Sequence, residues 1–285
     1  MSTQAGRWRI DLLTDGTFRL DGGAMFGIVP KVIWQRLITP DDLNRIELGL
    51  NSLLVRDGTR TIVVETGMGT KWSEKDKQLY VLKQEPGLVG MLAQHGVQPA
   101  DVTHVLFSHL HLDHAGGNTR FDESGRAVPT FPNARYMVPR GEWEEGINPD
   151  EITRHSFTPE DLIPIRDAGL VDFLPEEGEA LPGVRVMPTP GHTPHHVSLL
   201  FGEGTDAVLF AGDIFPTSMH IKPHYHMGYD LDAKTVAATR VWLAEECIRH
   251  GWRVFFPHEP RPGLCRLAMQ DGKLMAVNAG QGVEP

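Results

Sequence analysis

Residues 108–117 read SHLHLDHAGG, which places His109, His111, Asp113 and His114 within six consecutive positions. Imidazole nitrogens and carboxylate oxygens are the donors that hold borderline divalent cations. His109 and His111 are separated by one leucine, so on a tight loop both rings can turn into one pocket. Asp113 and His114 are adjacent and can serve a second ion beside the first. Four such donors in one short stretch exceed the needs of an ordinary single-ion site, so the spacing predicts two metals. Val105, Leu106 and Phe107 precede the motif as a short apolar run typical of a buried strand. Gly116-Gly117 follow it as a permissive turn.

Working outward, the same arrangement recurs. GVRVMPTPGHT (183–193) reads as a strand running into a proline-glycine turn that carries His192. HVSLLF (196–201) and DAVLFAGD (206–213) read as strands, the second ending at Asp213. WRVFFPHEP (252–260) reads as a last strand with His258 at its exit. Chemistry-bearing side chains just past strand ends are where α/β architectures place their sites. Nearer the N-terminus, RWRIDLLTDGTFRL (7–20) alternates and contains Asp15-Gly16, predicting a hairpin. LGLNSLLVRDGTRTIVVETGMG (48–69) predicts another, turning at Asp57-Gly58. Helices are expected at GLVGMLAQHGV (87–97), with Leu88, Met91 and Leu92 on one face, and at residues 158–168 behind Thr158 and Pro159. KTVAATRVWLAEECIRHG (234–251) is the clearest amphipathic helix, closed by Gly251.

Bulk composition narrows the class. The 285 residues are 40% apolar and 22% charged, enough for a large core, and the formal net charge is −10. An acidic chain without a basic stripe predicts neither nucleic acid nor an anionic membrane as partner, but a small molecule. Two cysteines, Cys247 and Cys265, make no disulfide framework and no thiolate zinc site. With no basic, apolar leader pattern in MSTQAGRWRIDLL and no run of about 18 apolar residues, a cytoplasmic location is expected.

HLHLDH (109–114) matches the His-x-His-x-Asp-His signature of metallo-β-lactamase-fold hydrolases. TPGHT (189–193), LFAGD (209–213) and FFPHEP (255–260) follow in that family's order, and VVETG (63–67) resembles its early strand-turn motif. The resemblance spans about residues 50–260. It implies an α/β fold, an αββα sandwich of two mixed sheets with helices on the outer faces. It implies one domain over 1–285, with an N-terminal hairpin and loop at about 7–45 capping the site. In the arrangement it implies, His109, His111 and His192 bind one metal, Asp113, His114 and His258 the other, and Asp213 bridges them. Two divalent ions, zinc first and manganese, iron or cobalt as alternatives, would share a hydroxide and lower its pKa. Asp113 is also the candidate catalytic residue, passing a proton to the leaving group.

The layout looks closest to the lactonase and organophosphate (methyl parathion) hydrolase branch, which implies cleavage of a lactone or ester, with phosphotriesters as further substrates. Pro216 stands where many homoserine lactonases have a tyrosine. The alternatives are a glyoxalase II-like thioester hydrolase and a persulfide dioxygenase-like enzyme with a single iron. A homodimer is expected from the resemblance alone. Glu65 replaces the usual aspartate before Thr-Gly and, though one methylene longer, can still support a histidine ligand. His196 matches a usual structural hydrogen-bonder, and His195 replaces a glycine, as a surface residue or a pocket wall. IFPTSMHIKPHYHMGYD (214–230) is rich in histidine and aromatics and is expected to line the substrate pocket, with His220 preferred over His224 and His226. Phe26 and Trp34, with Met25 and Ile28, are the candidate apolar rim, core packing being the alternative. His95, His104, His155 and His250 show no ligand pattern and read as structural or surface.

Overall fold

A computed structural model of the chain describes residues 2–278. Met1 and residues 279–285, the ends of the single domain expected over 1–285, lie outside the described residues. The strands are β1 (Ser2–Ala5), β2 (Trp8–Asp21), β3 (Arg45–Arg56), β4 (Thr61–Val64), β5 (His104–Leu106), β6 (Thr119–Phe121), β7 (Ala127–Pro129), β8 (Arg135–Val138) and β9 (Val171–Phe173). They continue with β10 (Gly178–Leu181), β11 (Val184–Pro188), β12 (Val197–Phe201), β13 (Val208–Phe210), β14 (Arg253–Phe255), β15 (Leu264–Gln270) and β16 (Lys273–Asn278). The helices are α1 (Gly22–Phe26), α2 (Lys31–Trp34), α3 (Glu74–Tyr80), α4 (Gly87–Gln94), α5 (Leu112–Ala115), α6 (Arg140–Ile147), α7 (Pro159–Asp167) and α8 (Ala233–His250).

Two seven-stranded sheets form, in the orders β1-β2-β3-β4-β5-β8-β9 and β10-β11-β12-β13-β14-β15-β16. Both are mixed: β4, β5, β8 and β9 run parallel, as do β13 and β14, while the other neighbours are antiparallel. Strand alternation explains the layering. Ile62 and Val64 face a core between the sheets, opposite Val208 and Phe210, while Val63 and Leu209 point outward. The outward face of the first sheet is covered by α4, α6 and α7 through Leu88, Trp143 and Leu162. The outward face of the second is covered by α8 through Val236, Leu243 and Cys247. The result is the αββα sandwich. Gly251 ends α8 in the left-handed conformation, as its position predicted. Among the described residues no helix is long and apolar enough to cross a membrane.

Three expectations need correction. Asp15-Gly16 is not a hairpin turn: β2 runs on as one strand with a bulge between Thr14 and Gly16, because both halves pair with β3. Gly16 has φ +136°, and a Cβ there would sit 1.9 Å from the Lys83 carbonyl oxygen. Thr17 and Lys83 exchange backbone hydrogen bonds at that contact. The bulge turns Asp15 inward, where it accepts the N–H groups of Leu88 and Gly69 at 2.8 and 3.2 Å. The expected N-terminal hairpin is therefore a strand, and the loop after it carries α1 and α2. Residues 252–260 are not the last strand either, since β15 and β16 follow as a hairpin across Asp271-Gly272. Finally, Gly116 and Gly117 do not adopt positive φ. They are needed because the backbone of Met68 and Thr66 passes so close that a Cβ would meet carbonyl oxygens at 2.3 and 2.2 Å.

Candidate metal centre

The candidate ligands converge from strand ends. β5 leads into Ser108 and the His109–His111 loop, and the single turn of α5 presents Asp113 and His114. His192 lies on the turn between β11 and β12, Asp213 just past β13, and His258 just past β14. Donor atoms of His109, His111 and His192 all lie within 4.8 Å of one another, and so do those of Asp113, His114 and His258. Asp213 stands between these groups. Its Oδ1 is 3.1 Å from His258 Nε2 and 3.4 Å from His114 Nε2, and its Oδ2 is 3.4 Å from His192 Nε2.

The nitrogens that face away from the centre are tied down. His258 Nδ1 donates to the Gly49 carbonyl at 2.8 Å, and His114 Nδ1 donates to Glu65 Oε2 at 2.6 Å. His192 Nδ1 donates to Asp230 Oδ1 at 2.9 Å, and His109 Nδ1 lies 2.9 Å from Ser108 Oγ. A carbonyl can only accept, so neutral His258 must present the lone pair of Nε2 inward. Neutral His114 does the same, yet these two nitrogens are 3.1 Å apart. Two lone pairs at that distance repel, so the contact requires a cation against both nitrogens, either a proton or a metal ion. His109 Nε2 and Asp213 Oδ1 are buried with no hydrogen-bond partner among the described residues. The donor set therefore fits divalent cations, and its nitrogen–oxygen character suits zinc.

The electrostatics agree. Burial and neighbouring imidazoles hold His109 and His111 well below the ordinary histidine pKa, so neither accommodates a proton. Burial also opposes charge on His114, but Glu65, Asp113 and Asp213 outweigh it and lift His114 well above its ordinary value. Asp213 is held well below the carboxylate range, against burial, by His258, His114 and His192. Buried carboxylates set among imidazoles supply the anionic charge that a divalent cation would need.

Above these groups lies a cavity of about 180 Å³. Its floor is His111, Asp113, His192, Asp213 and His258, and its walls are Phe18, Leu20, Met25, Leu48, Leu112 and Met227. Tyr80, Tyr229, His155 and Ser156 add polar groups, and no lysine or arginine is among its described walls.

The pocket residues expected from sequence are largely elsewhere. Phe26 is stacked between Trp34, at 5.3 Å between ring centroids, and His220, at 4.8 Å. All three are buried and none lines the cavity, whereas Phe18, Leu20 and Met25 do. The His220 ring nitrogens are both used, by Thr217 Oγ1 at 2.7 Å and the Met25 carbonyl at 2.9 Å. Only Met25 of the expected rim, and Tyr229 and Met227 of the loop 214–230, reach the cavity. His224 is exposed, and His226 packs by Gly27 with its Nδ1 near the Met227 carbonyl. His195 is exposed and lies over Gly141, while His196 accepts the Asp213 N–H at 2.9 Å. His155, read as structural or surface, lines the cavity mouth. Asp230 and Glu142 had no sequence signal: each is a lone carboxylate far along the chain from the histidine loop it supports.

Comparison with known proteins adds independent findings. The family profile described as Metallo-beta-lactamase superfamily matches residues 46–258. An N-acyl homoserine lactonase from Bacillus sp is 28% identical over 236 residues, 78% of this chain and 85% of the relative. The crystal structure of a probable metal-dependent hydrolase from Staphylococcus aureus superposes with a TM-score of 0.87 at 26% identity, covering 99% of this chain and 100% of that one. AidC, a dizinc quorum-quenching lactonase solved with a product, N-hexnoyl-L-homoserine, superposes with a TM-score of 0.78 over 99% of this chain and 98% of that one. At 22% identity its likeness speaks for the fold.

Proposed function

The chain belongs to the metallo-beta-lactamase superfamily, and from that membership we propose that this metal-dependent hydrolase opens the ring of a neutral lactone, or cleaves a neutral ester, at a two-metal centre. The observation that carries the reading is Asp213. One buried carboxylate reaches both groups of imidazoles, 3.4 Å from His192 and 3.1 Å from His258, on the floor of an apolar cavity. His109, His111 and His192 would hold one ion, Asp113, His114 and His258 the other, and Asp213 both, with zinc the proposed metal. When bound, such a pair supplies an acidified water and polarises the carbonyl to be attacked.

The remaining work falls to side chains. Phe18, Leu20, Leu48 and Met227 offer apolar area to the body of the substrate and keep bulk water away. Tyr229, on the cavity wall, has a phenol without a hydrogen-bond partner among the described residues, free to donate to a substrate oxygen. Asp113 lines the floor with its side chain 16% exposed, and passes a proton to the leaving alkoxide as water adds across the acyl–oxygen bond. A wall without lysine or arginine offers no counter-charge to a carboxylate, which disfavours β-lactams and glutathione thioesters. The same apolar wall would suit a neutral phosphotriester as a further substrate. The lactonase relatives support the lactone over the other neutral esters.

The test is a panel of substrates with zinc- or manganese-reconstituted protein: an acyl-homoserine lactone, simple γ- and δ-lactones, an aryl phosphotriester, a glutathione thioester and a β-lactam. Lactones should lead the anionic substrates by about a hundredfold in kcat/KM, about 2.7 kcal/mol. A thioester or β-lactam in the lead overturns the reading of the pocket. One metal per active chain overturns the two-metal centre.

A further inference from the structure

Glu142 sits in the first turn of α6 and is fully buried, yet it is not among the proposed ligands. Its Oε2 accepts the backbone N–H of Leu110 at 3.3 Å, and its Oε1 accepts the hydroxyl of Thr193. Leu110 lies between His109 and His111, and Thr193 follows His192. One carboxyl group therefore joins the two loops that carry three imidazoles of one proposed subsite, loops about 80 residues apart in the chain. The same helix touches the second loop again: the His195 ring lies so close over Gly141 that a Cβ there would be 2.2 Å away.

A carboxylate is a costly filler for a buried position, and leucine or methionine would pack there without desolvating a charge. What an apolar side chain lacks is a pair of acceptors at a set separation. We propose that Glu142 is a positioning residue for the His109–His111–His192 subsite, its two oxygens holding the two loops at the spacing a cation requires. The inference rests on the metal-centre reading above. It is one-sided, because His114 and His258 in the other group are braced by Glu65 and the Gly49 carbonyl.

The experiment is zinc titration of the metal-free full chain against a chromogenic chelator, for wild type, Glu142→Gln, Thr193→Val and Thr193→Ser. Glutamine keeps one acceptor and places an amide N–H where the other stood. Valine keeps the shape of threonine and deletes its donor, so it carries the test if the buried glutamine prevents folding. Glu142→Gln and Thr193→Val should each weaken one of two zinc ions by about ten- to hundredfold and leave the other within about threefold. Thr193→Ser, which restores the hydroxyl, should bind both ions as wild type does. Equal weakening of both ions, no weakening, or a serine variant as defective as the valine one overturns the proposal. If wild type takes up two ions and the variants match it, only this inference falls. If wild type does not take up two, the metal reading falls and this inference with it.

Discussion

Phe26→Ala separates a core role from a pocket role for the stack behind the cavity. Phe26 is fully buried, with Trp34 on one face at an interplanar angle of 6° and His220 on the other at 17°, and Tyr225 at its edge. The stack leaves little room for collapse once the ring is gone. Truncation of such a ring costs about 3–5 kcal/mol. For a chain of 285 residues the melting entropy is about 0.6 kcal/mol/K, so the melting temperature should fall by about 5–8 °C. The ring does not line the cavity, so KM for a lactone should stay within about twofold at a temperature where the variant is folded. Calorimetry and steady-state kinetics on the same metal-loaded sample measure both quantities. A melting temperature within a degree or so of wild type, together with a KM raised about tenfold, would refute the placement and return Phe26 to the pocket wall.

Asp213→Asn should lower activity by about a hundredfold or more and reduce bound zinc, because an amide cannot serve both groups of imidazoles. Metal analysis with full activity retained would contradict this. Tyr229→Phe should keep both metals and its melting temperature while kcat falls by about a hundredfold, the usual effect of losing one donor to a developing oxyanion. Unchanged kcat and KM would remove Tyr229 from the chemistry. His220 is held at a pKa of about 3, chiefly by burial. Folded His220 stays neutral while the unfolded residue takes up a proton below about pH 6.5, so stability is lost as pH falls through that range. Denaturant unfolding of metal-free protein should show wild type losing roughly 2 kcal/mol more than His220→Asn between pH 7 and pH 5. Equal losses would show that His220 titrates normally.

Local pattern was a reliable guide where local physics decides the outcome. Uninterrupted apolar runs at IVV (62–64) and VLF (208–210) marked strands buried on both faces, and Gly251 marked the end of α8 because that backbone position favours a residue without a Cβ. Asp-Gly pairs form different structures in different settings. At Asp15-Gly16 the pair makes a bulge that lets Lys83 approach, and at Asp271-Gly272 it makes the hairpin between β15 and β16. A dipeptide specifies a backbone conformation but not what packs against it.

The chain's order of residues determined by itself which donors stand at which strand ends, since ligand type, short spacing and strand period are properties of neighbouring positions. It also determined the acidic, cysteine-poor character that turns attention to a small-molecule substrate. Tertiary structure alone decided which side chains stand behind those donors and which face the substrate. Asp230 meets His192 across 38 positions, Glu142 meets Thr193 across 51, and His220 meets Met25 across 195. Such contacts leave no local period, because each is one polar group satisfied by a distant partner once the two sheets have closed on their shared core. The same closure buries Phe26, Trp34 and His220 and brings Tyr80, His155 and Tyr229 to the cavity, a division of aromatic residues set by packing direction rather than by composition.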